Sequence, residues 1–303
     1  MEVDYEALPE TSPLSLHLFA GALAGIAEHT IMYPIDTLRT RMQVVNPNPQ
    51  AIYSSVTSAL TRISTTEGSR ALWRGVSSMV LGAGPSHALY FATYEQCKLY
   101  AGTRYHNTHM QHVVHGASGA CATVISDAFM NPFDVVKQRM QMHGSTYRSS
   151  YQCALSILHK EGVGALYVSY PTTLLMTVPF QAIQFAVYEH VRAWLNPTNT
   201  YSPMTHIIAG GMAGSLAAAA TTPLDVCKTV LQTRTTSDKV DGIVSAMRVI
   251  VQRQGMWGFF QGWRPRVISH MPSTAIAWTV YEYVKYFLGN KEQEGEELSL
   301  SYH

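Results

Sequence analysis

Charge is scarce in this chain. Only 14% of its 303 residues are Asp, Glu, Lys or Arg, against roughly 25% in a typical soluble domain, and the formal net charge is +1. The shortage excludes the basic face a nucleic-acid partner requires and suits a chain with much of its surface in lipid. Cysteine is sparse too: Cys97, Cys121, Cys153 and Cys227 stand singly, without the Cys-x-x-Cys pair of a zinc or redox site, and read as packing residues. The first sixteen residues hold Glu2, Asp4, Glu6 and Glu10 but no Lys or Arg, so neither a secretory signal nor a cleavable basic presequence is expected there. Gly-x-Ser-x-Gly, His-Glu-x-x-His and Gly-rich phosphate loops are all missing, so neither an enzyme nor a resident cofactor is expected.

What is present is a repeat. Pro34-Ile-Asp36-Thr-Leu-Arg39, Pro132-Phe-Asp134-Val-Val-Lys137 and Pro223-Leu-Asp225-Val-Cys-Lys228 share one spelling, with prolines 98 and 91 residues apart, a long internal period. Gln43, Gln141 and Gln232 follow each base by four residues, and Gly21, Gly119 and Gly210 precede each proline by thirteen. A second triplet runs Tyr94-Glu95-x-x-Lys98, Tyr188-Glu189-x-x-Arg192 and Tyr281-Glu282-x-x-Lys285, with Pro85, Pro179 and Pro272 ten residues before each glutamate. The repeats divide the chain into 14–107, 108–200 and 201–290, with tails at 1–13 and 291–303.

Between these landmarks lie apolar stretches at about 14–33, 76–97, 110–131, 168–190, 203–223 and 267–284, each near the roughly 20 residues a spanning helix needs. Glu28, His29, Asp127 and Gln184 within them require one face turned to protein or water. Small residues at Gly21-x-x-x-Gly25 and Gly210-x-x-x-Gly214 allow close helix approach. The polar segment inside each unit carries a shorter amphipathic pattern, such as Val56, Ala59, Leu60 and Ile63, read as a helix along the membrane surface. The predicted class is all-α: six transmembrane helices in three pseudo-threefold units, each with one short amphipathic helix, and both termini on one side.

The charges predict two rings. A proline inside a helix bends it, and three such bends bring three acids and three bases together. Asp36, Asp134 and Asp225 are expected to pair with Lys137, Lys228 and Arg39 of the neighbouring unit, braced by Gln43, Gln141 and Gln232. At the other end, Glu95 with Arg192, Glu189 with Lys285 and Glu282 with Lys98 form a second set, braced by Tyr94, Tyr188 and Tyr281. Each set stabilises one of two states, which is the requirement of alternating access.

These motifs, with Glu67-Gly68 and Trp73-Arg74-Gly75, resemble the mitochondrial carrier family over residues 14 to 288. The resemblance implies a multi-pass inner-membrane transporter with both termini in the intermembrane space. It places the first ring and the surface helices on the matrix side, where cardiolipin is a possible lipid partner, and the second ring on the cytoplasmic side. Gln254-Gly255 and Val168-Ser169 depart from the family pattern.

Seven residues before the three motif acids stand His29, Asp127 and Ala218, two helical turns away on the same face. The segments after the aligned prolines add His87, Gln181 and Thr274, with Met176 and Met271 nearby. Mid-membrane Lys and Arg, which an anionic substrate would need, are absent except for Arg264 and Arg266. Imidazole, carboxylate and thioether groups suit a borderline divalent metal, with Fe(II), Cu and Zn all compatible. Another divalent metal, a small organic cation, or an adaptor that moves nothing also stay open. The wording of Gly84 to Glu95, Val178 to Phe185 and Met271 to Ile276 resembles the mitoferrins, the iron-transporting branch of that family. This resemblance implies Fe(II) as the transported ion, delivered for haem and iron-sulfur cluster synthesis, and it associates His29, His87 and His206 with iron. His206 belongs to a triplet with His17 and His115, seventeen residues before the motif prolines.

Overall fold

A computed structural model describes residues 14–44, 55–102, 108–197, 203–234, 240, 242–277, 279–280 and 283. The aligned prolines all lie inside helices. Pro34, Pro132 and Pro223 fall within α1 (Leu14–Gln43), α4 (Thr108–Gln141) and α8 (Pro203–Thr233). Pro85 and Pro179 fall within α3 (Val76–Gly102) and α7 (Tyr170–Leu195), and Pro272 within α10, residues 263–277. The odd members of this series run past the apolar stretches, through the charged motif to the glutamine that closes it. Ion pairs and hydrogen bonds hold this last part in place of hydrophobic contact with lipid.

Between the long helices lie α2 (Val56–Thr66), α5 (Ser150–Glu161) and α9 (Ile243–Gln254), with a single turn α6 (Gly164–Tyr167) after α5. Their apolar residues recur four apart, as in Ala59 and Ile63, Cys153 and Ile157, Ala246 and Ile250, all buried. Each pair seats on the end of the preceding long helix, against Leu38, against Val135 and Val136, and against Val226 and Cys227. Of the cysteines, Cys153 and Cys227 are buried packing residues, whereas Cys121 is exposed on α4.

The chain resolves into two compact units. One holds Tyr33–Gln181 and Ala218–Arg266; the other holds Ala182–Ala217 with the described parts of Met1–Met32 and Val267–His303. In the second, α8 and α10 meet through small residues, as the spacing of Gly210 and Gly214 predicts. A Cβ on Gly211 would fall 2.7 Å from Met271, and one on Gly214 would fall 2.8 Å from the His270 ring. Gly25 differs, since a Cβ there would meet nothing within 4 Å among the described residues. Hydropathy alone recovers little of the membrane arrangement: among the described residues only Met204–Thr233 is apolar enough throughout to pass as a span. The polar faces of the other long helices dilute the signal.

The junctions into α3 and α10 need left-handed glycines. Gly75 has φ of +91°, and a Cβ would lie 2.8 Å from the Tyr33 hydroxyl, which itself donates to the Arg74 carbonyl at 2.9 Å. Gly262 repeats this with φ of +74° against Gln43. The middle unit solves the junction differently, which accounts for its departure at Val168-Ser169. A helical turn replaces the 3-10 turn seen at Ser69–Trp73 and Met256–Phe260. Ser169 then bonds Asn131, the residue before the motif proline, at 3.1 Å. Gly68 also has positive φ, +85°, but with open space around it. Gly68→Ala should therefore cost about 1 to 3 kcal/mol of backbone strain, and Gly75→Ala distinctly more, read as a larger drop in thermal unfolding temperature of the detergent-solubilised protein.

Candidate functional site: a ring of ion pairs

All six charges of the three Pro-x-Asp motifs lie in the larger unit, at the ends of α1, α4 and α8. They pair as the spacing predicts. Lys137 Nζ lies 2.7 Å from Asp36 Oδ2, Lys228 Nζ lies 3.0 Å from Asp134 Oδ2, and the Arg39 guanidinium holds both oxygens of Asp225. Each acid bonds the base of the next unit, so the ring closes. None of the six side chains is fully exposed, and Asp225 is buried. Charges so placed are costly unless compensated, so the pairing is a condition of the fold in this state.

The three links are not alike. Gln141 Nε2 donates to Asp36 at 3.2 Å while its Oε1 accepts from the Thr40 hydroxyl at 2.8 Å. Gln43 repeats this at Asp225, donating at 2.7 Å and accepting from Thr229 at 2.7 Å. Gln232 does not: both its side-chain polar atoms are buried without a partner among the described residues.

Sequence reasoning noted Arg266 only as a mid-membrane cation and missed its partner. It is buried, with a guanidinium nitrogen 2.6 Å from Asp225 and another donating to Thr221 at 2.9 Å. Asp225 thus carries two guanidinium groups. The signal was a position rather than a motif: six residues before the aligned proline, the other units have Met79 and Thr173. The sulfur of Met176 packs on this group, 3.8 Å from the Arg266 Nη2, so that thioether is engaged by a cation.

A second layer was also missed. Buried Arg41 donates from Nε to the Gln141 carbonyl at 2.8 Å and forks onto Glu67. Arg139 does the same from Nε to the Gln232 carbonyl at 3.2 Å, with its fork on Glu161. Each arginine satisfies a carbonyl that the end of the neighbouring helix leaves without an intrahelical donor. Val230 and Gln254 occupy the corresponding positions of the last unit, so acid and base are missing there together, which explains the departure at Gln254. His143 Nδ1 lies 2.7 Å from Glu67. Burial alone would raise the Glu67 carboxyl, but its bonds to Arg41, with His143 beside them, outweigh that and hold it below the usual carboxylate range.

On α3, Ser78, Gly82 and Ser86 face α4: Ser78 donates to the Phe133 carbonyl at 2.9 Å, and the Ser86 and Ser126 hydroxyls meet at 2.8 Å. The rest of the helix surface divides in two. Leu81, Ala88, Ala92 and Leu99 form an exposed apolar stripe, while His87, Phe91, Glu95 and Lys98 form another at i, i+4, i+8 and i+11. His87 thus shares a stripe with Glu95 and Lys98 and with the exposed Phe91. Asp127, seven residues before Asp134 on α4, has a buried Oδ2 without a hydrogen-bond partner among the described residues; Thr177 lies beside it, and Lys228 acts on its charge.

The remaining expected residues are less alike in placement. Gln181 is exposed and His29 half-buried. His206 is buried, with Nδ1 taken by the Tyr188 hydroxyl at 2.6 Å, so one tyrosine brace engages a histidine. Met271 packs on Gly211 as described above. Glu28 accepts a hydrogen bond from Ser273. Tyr94 stacks on Tyr90. Glu95, Lys98 and Glu189 are exposed and Arg192 half-buried, while Tyr281, Glu282 and Lys285 lie outside the described residues, as do the side chains of His17 and His115. No cluster of three or more metal-ligating side chains forms among the described residues.

The unequal links predict unequal costs. Asp225→Asn strands two guanidinium groups and should cost about 3 kcal/mol or more. Asp134→Asn strands one lysine with Asp127 near it and should cost about 1 to 2 kcal/mol. Thermal unfolding of the two variants beside the parent checks the order.

Comparison with known proteins agrees with this architecture. The family described as "Mitochondrial carrier protein" matches three times in succession, over residues 10–105, 108–199 and 199–292. Mitoferrin-1 of Danio rerio is 50% identical over 304 residues, covering 98% of this chain and 92% of the relative. Mitoferrin-1 of Homo sapiens is 48% identical over 299 residues, covering 96% and 88%. The Mitochondrial RNA-splicing protein MRS3 of Saccharomyces cerevisiae is 47% identical over 296 residues, covering 94% and 92%. With its threefold all-α repeat and its ring of inter-unit ion pairs, this chain belongs to the mitochondrial carrier family, a family of transporters and not of enzymes.

Proposed function

We propose that this protein moves Fe(II) across the mitochondrial inner membrane into the matrix by alternating access, supplying haem and iron-sulfur cluster synthesis. The observation that carries the reading is the likeness, near half identity along almost the whole chain, to relatives named mitoferrins. The chemistry of the residues supports it. His87 is exposed on α3 on the stripe that carries Glu95 and Lys98, and Asp127 keeps an oxygen without a partner among the described residues. Imidazole and carboxylate donors without a closed cage suit a cation that must be released as well as bound.

In this reading His29, His87, Asp127 and Gln181 serve the ion's path, while Met176, His206 and Met271 flank it through the contacts they make. The Asp36, Asp134 and Asp225 pairs form the matrix gate, and the Glu95, Glu189 and Glu282 set forms the cytoplasmic one. The first set is paired, and the described glutamates of the second are exposed, which fits a state open toward the cytoplasmic side. Residues 14–107, 108–200 and 201–290 act as the three repeat units, with both termini in the intermembrane space and matrix-side contacts to lipid, cardiolipin among them.

Reconstituted into liposomes, the protein should take up Fe(II) in preference to ATP. His29→Ala and His87→Ala should each lower that uptake about tenfold or more with thermal unfolding unchanged. Normal uptake by both variants removes the two histidines from the path. Preference for Zn, Cu or Mn over Fe(II) replaces the ion, and uptake of ATP alone overturns the cation reading.

A further inference from the structure

The ring is threefold in its charges but not in what supports them. Two of its glutamines hold an acid with the amide nitrogen and are themselves oriented by a threonine hydroxyl: Thr40 on Gln141, and Thr229 on Gln43. Each threonine directly follows the motif base, Arg39 or Lys228. After the remaining base, Lys137, the chain has Gln138. Its Oε1 is buried without a partner among the described residues, as are both polar atoms of Gln232, the glutamine it would have to orient. Gln138 does not do for Gln232 what the threonines do for their glutamines: its side chain is longer than a threonine's, and neither polar atom of Gln232 has a hydrogen-bond partner among the described residues.

The Asp134 and Lys228 pair at 3.0 Å is therefore the link without a glutamine brace. A second acid stands on the helix of Asp134, as Asp36 stands 3.8 Å from Arg39 at the Asp225 link. Asp127 stands two turns from Asp134 on α4 with an oxygen unpartnered among the described residues, and it interacts electrostatically with Lys228. The Asp225 link has the opposite character, with two guanidinium groups and a fully bonded glutamine.

We propose that Gln138 is a positioning residue that makes the contact between α4 and α8 the point where the ring parts first, so that the gate opens unevenly rather than as a symmetric iris. The proposal rests on the reading of the ring as a gate. Gln138→Thr reproduces the other two links and should let Gln232 turn its amide nitrogen onto Asp134.

The test uses the full chain in two arms. In detergent, hydrogen exchange should be faster in the last turns of α4 and α8 than in the last turn of α1, and Gln138→Thr should erase the difference. In liposomes, the same variant should take up Fe(II) about fivefold more slowly, the effect of one added hydrogen bond on opening. Thr229→Gln, which removes the corresponding donor from the Asp225 link, should quicken exchange at α1 and α8. Even exchange across all three helices in the parent, or no change in Gln138→Thr, overturns the proposal. So does an unchanged uptake rate once the exchange difference is gone, because the brace would then be structural only. A parent that moves no Fe(II) defeats the iron reading, while the exchange arm still decides where the ring parts.

Discussion

Three carboxylates and three bases meet where three helices end, and none of the helices compensates its own charge well. Arg39 lies 3.8 Å from Asp36 of its own motif but holds Asp225 of another unit with both arms. A partly buried charge without a partner is costly, so each unit depends on its neighbour to be stable in this state. The surface helices, seated on Leu38, Val135 and Val226, and the left-handed Gly75 and Gly262, packed on Tyr33 and Gln43, lie against the same helix ends.

The same dependence makes the ring suitable as a movable contact. Hydrophobic packing holds α2, α5 and α9 to their helices through buried Ile63, Ile157 and Ile250, and those seams have no alternative partner. An ion pair does have one, because water, a cation or another acid can take over part of its compensation. On α3, His87, Glu95 and Lys98 lie exposed on one stripe with Phe91, beside the apolar stripe of Leu81 and Leu99.

Much of this was legible in the sequence, because repetition turns offsets into geometry. Three copies of Pro-x-Asp-x-x-base suggest a cyclic exchange of partners, and the structure has the three pairs so predicted. Surface helices were legible from residues four apart. Features that occur once were not. Arg266 has no counterpart at Met79 or Thr173, so subtraction between units has nothing to align, and the Arg41 and Arg139 forks need an acid from a different segment. The thioether of Met176 looked free as a soft ligand because sequence does not show the guanidinium packed on it. Among the described residues hydropathy failed for long helices such as α3, α4 and α7, since a helix with a polar face averages to a weak apolar signal.

The arginine forks run in one direction along the chain. Arg41 caps the carbonyl of Gln141 and Arg139 that of Gln232, each reaching forward to a segment synthesised later, while Val230 caps nothing. Asp225 and Arg39, 186 residues apart, close the circle over the longest loop of the three links. The first two units hold the Asp36 and Lys137 pair between themselves, whereas Arg39 and Asp134 both find their partners on α8. The last unit therefore carries two of the three closures of the circle.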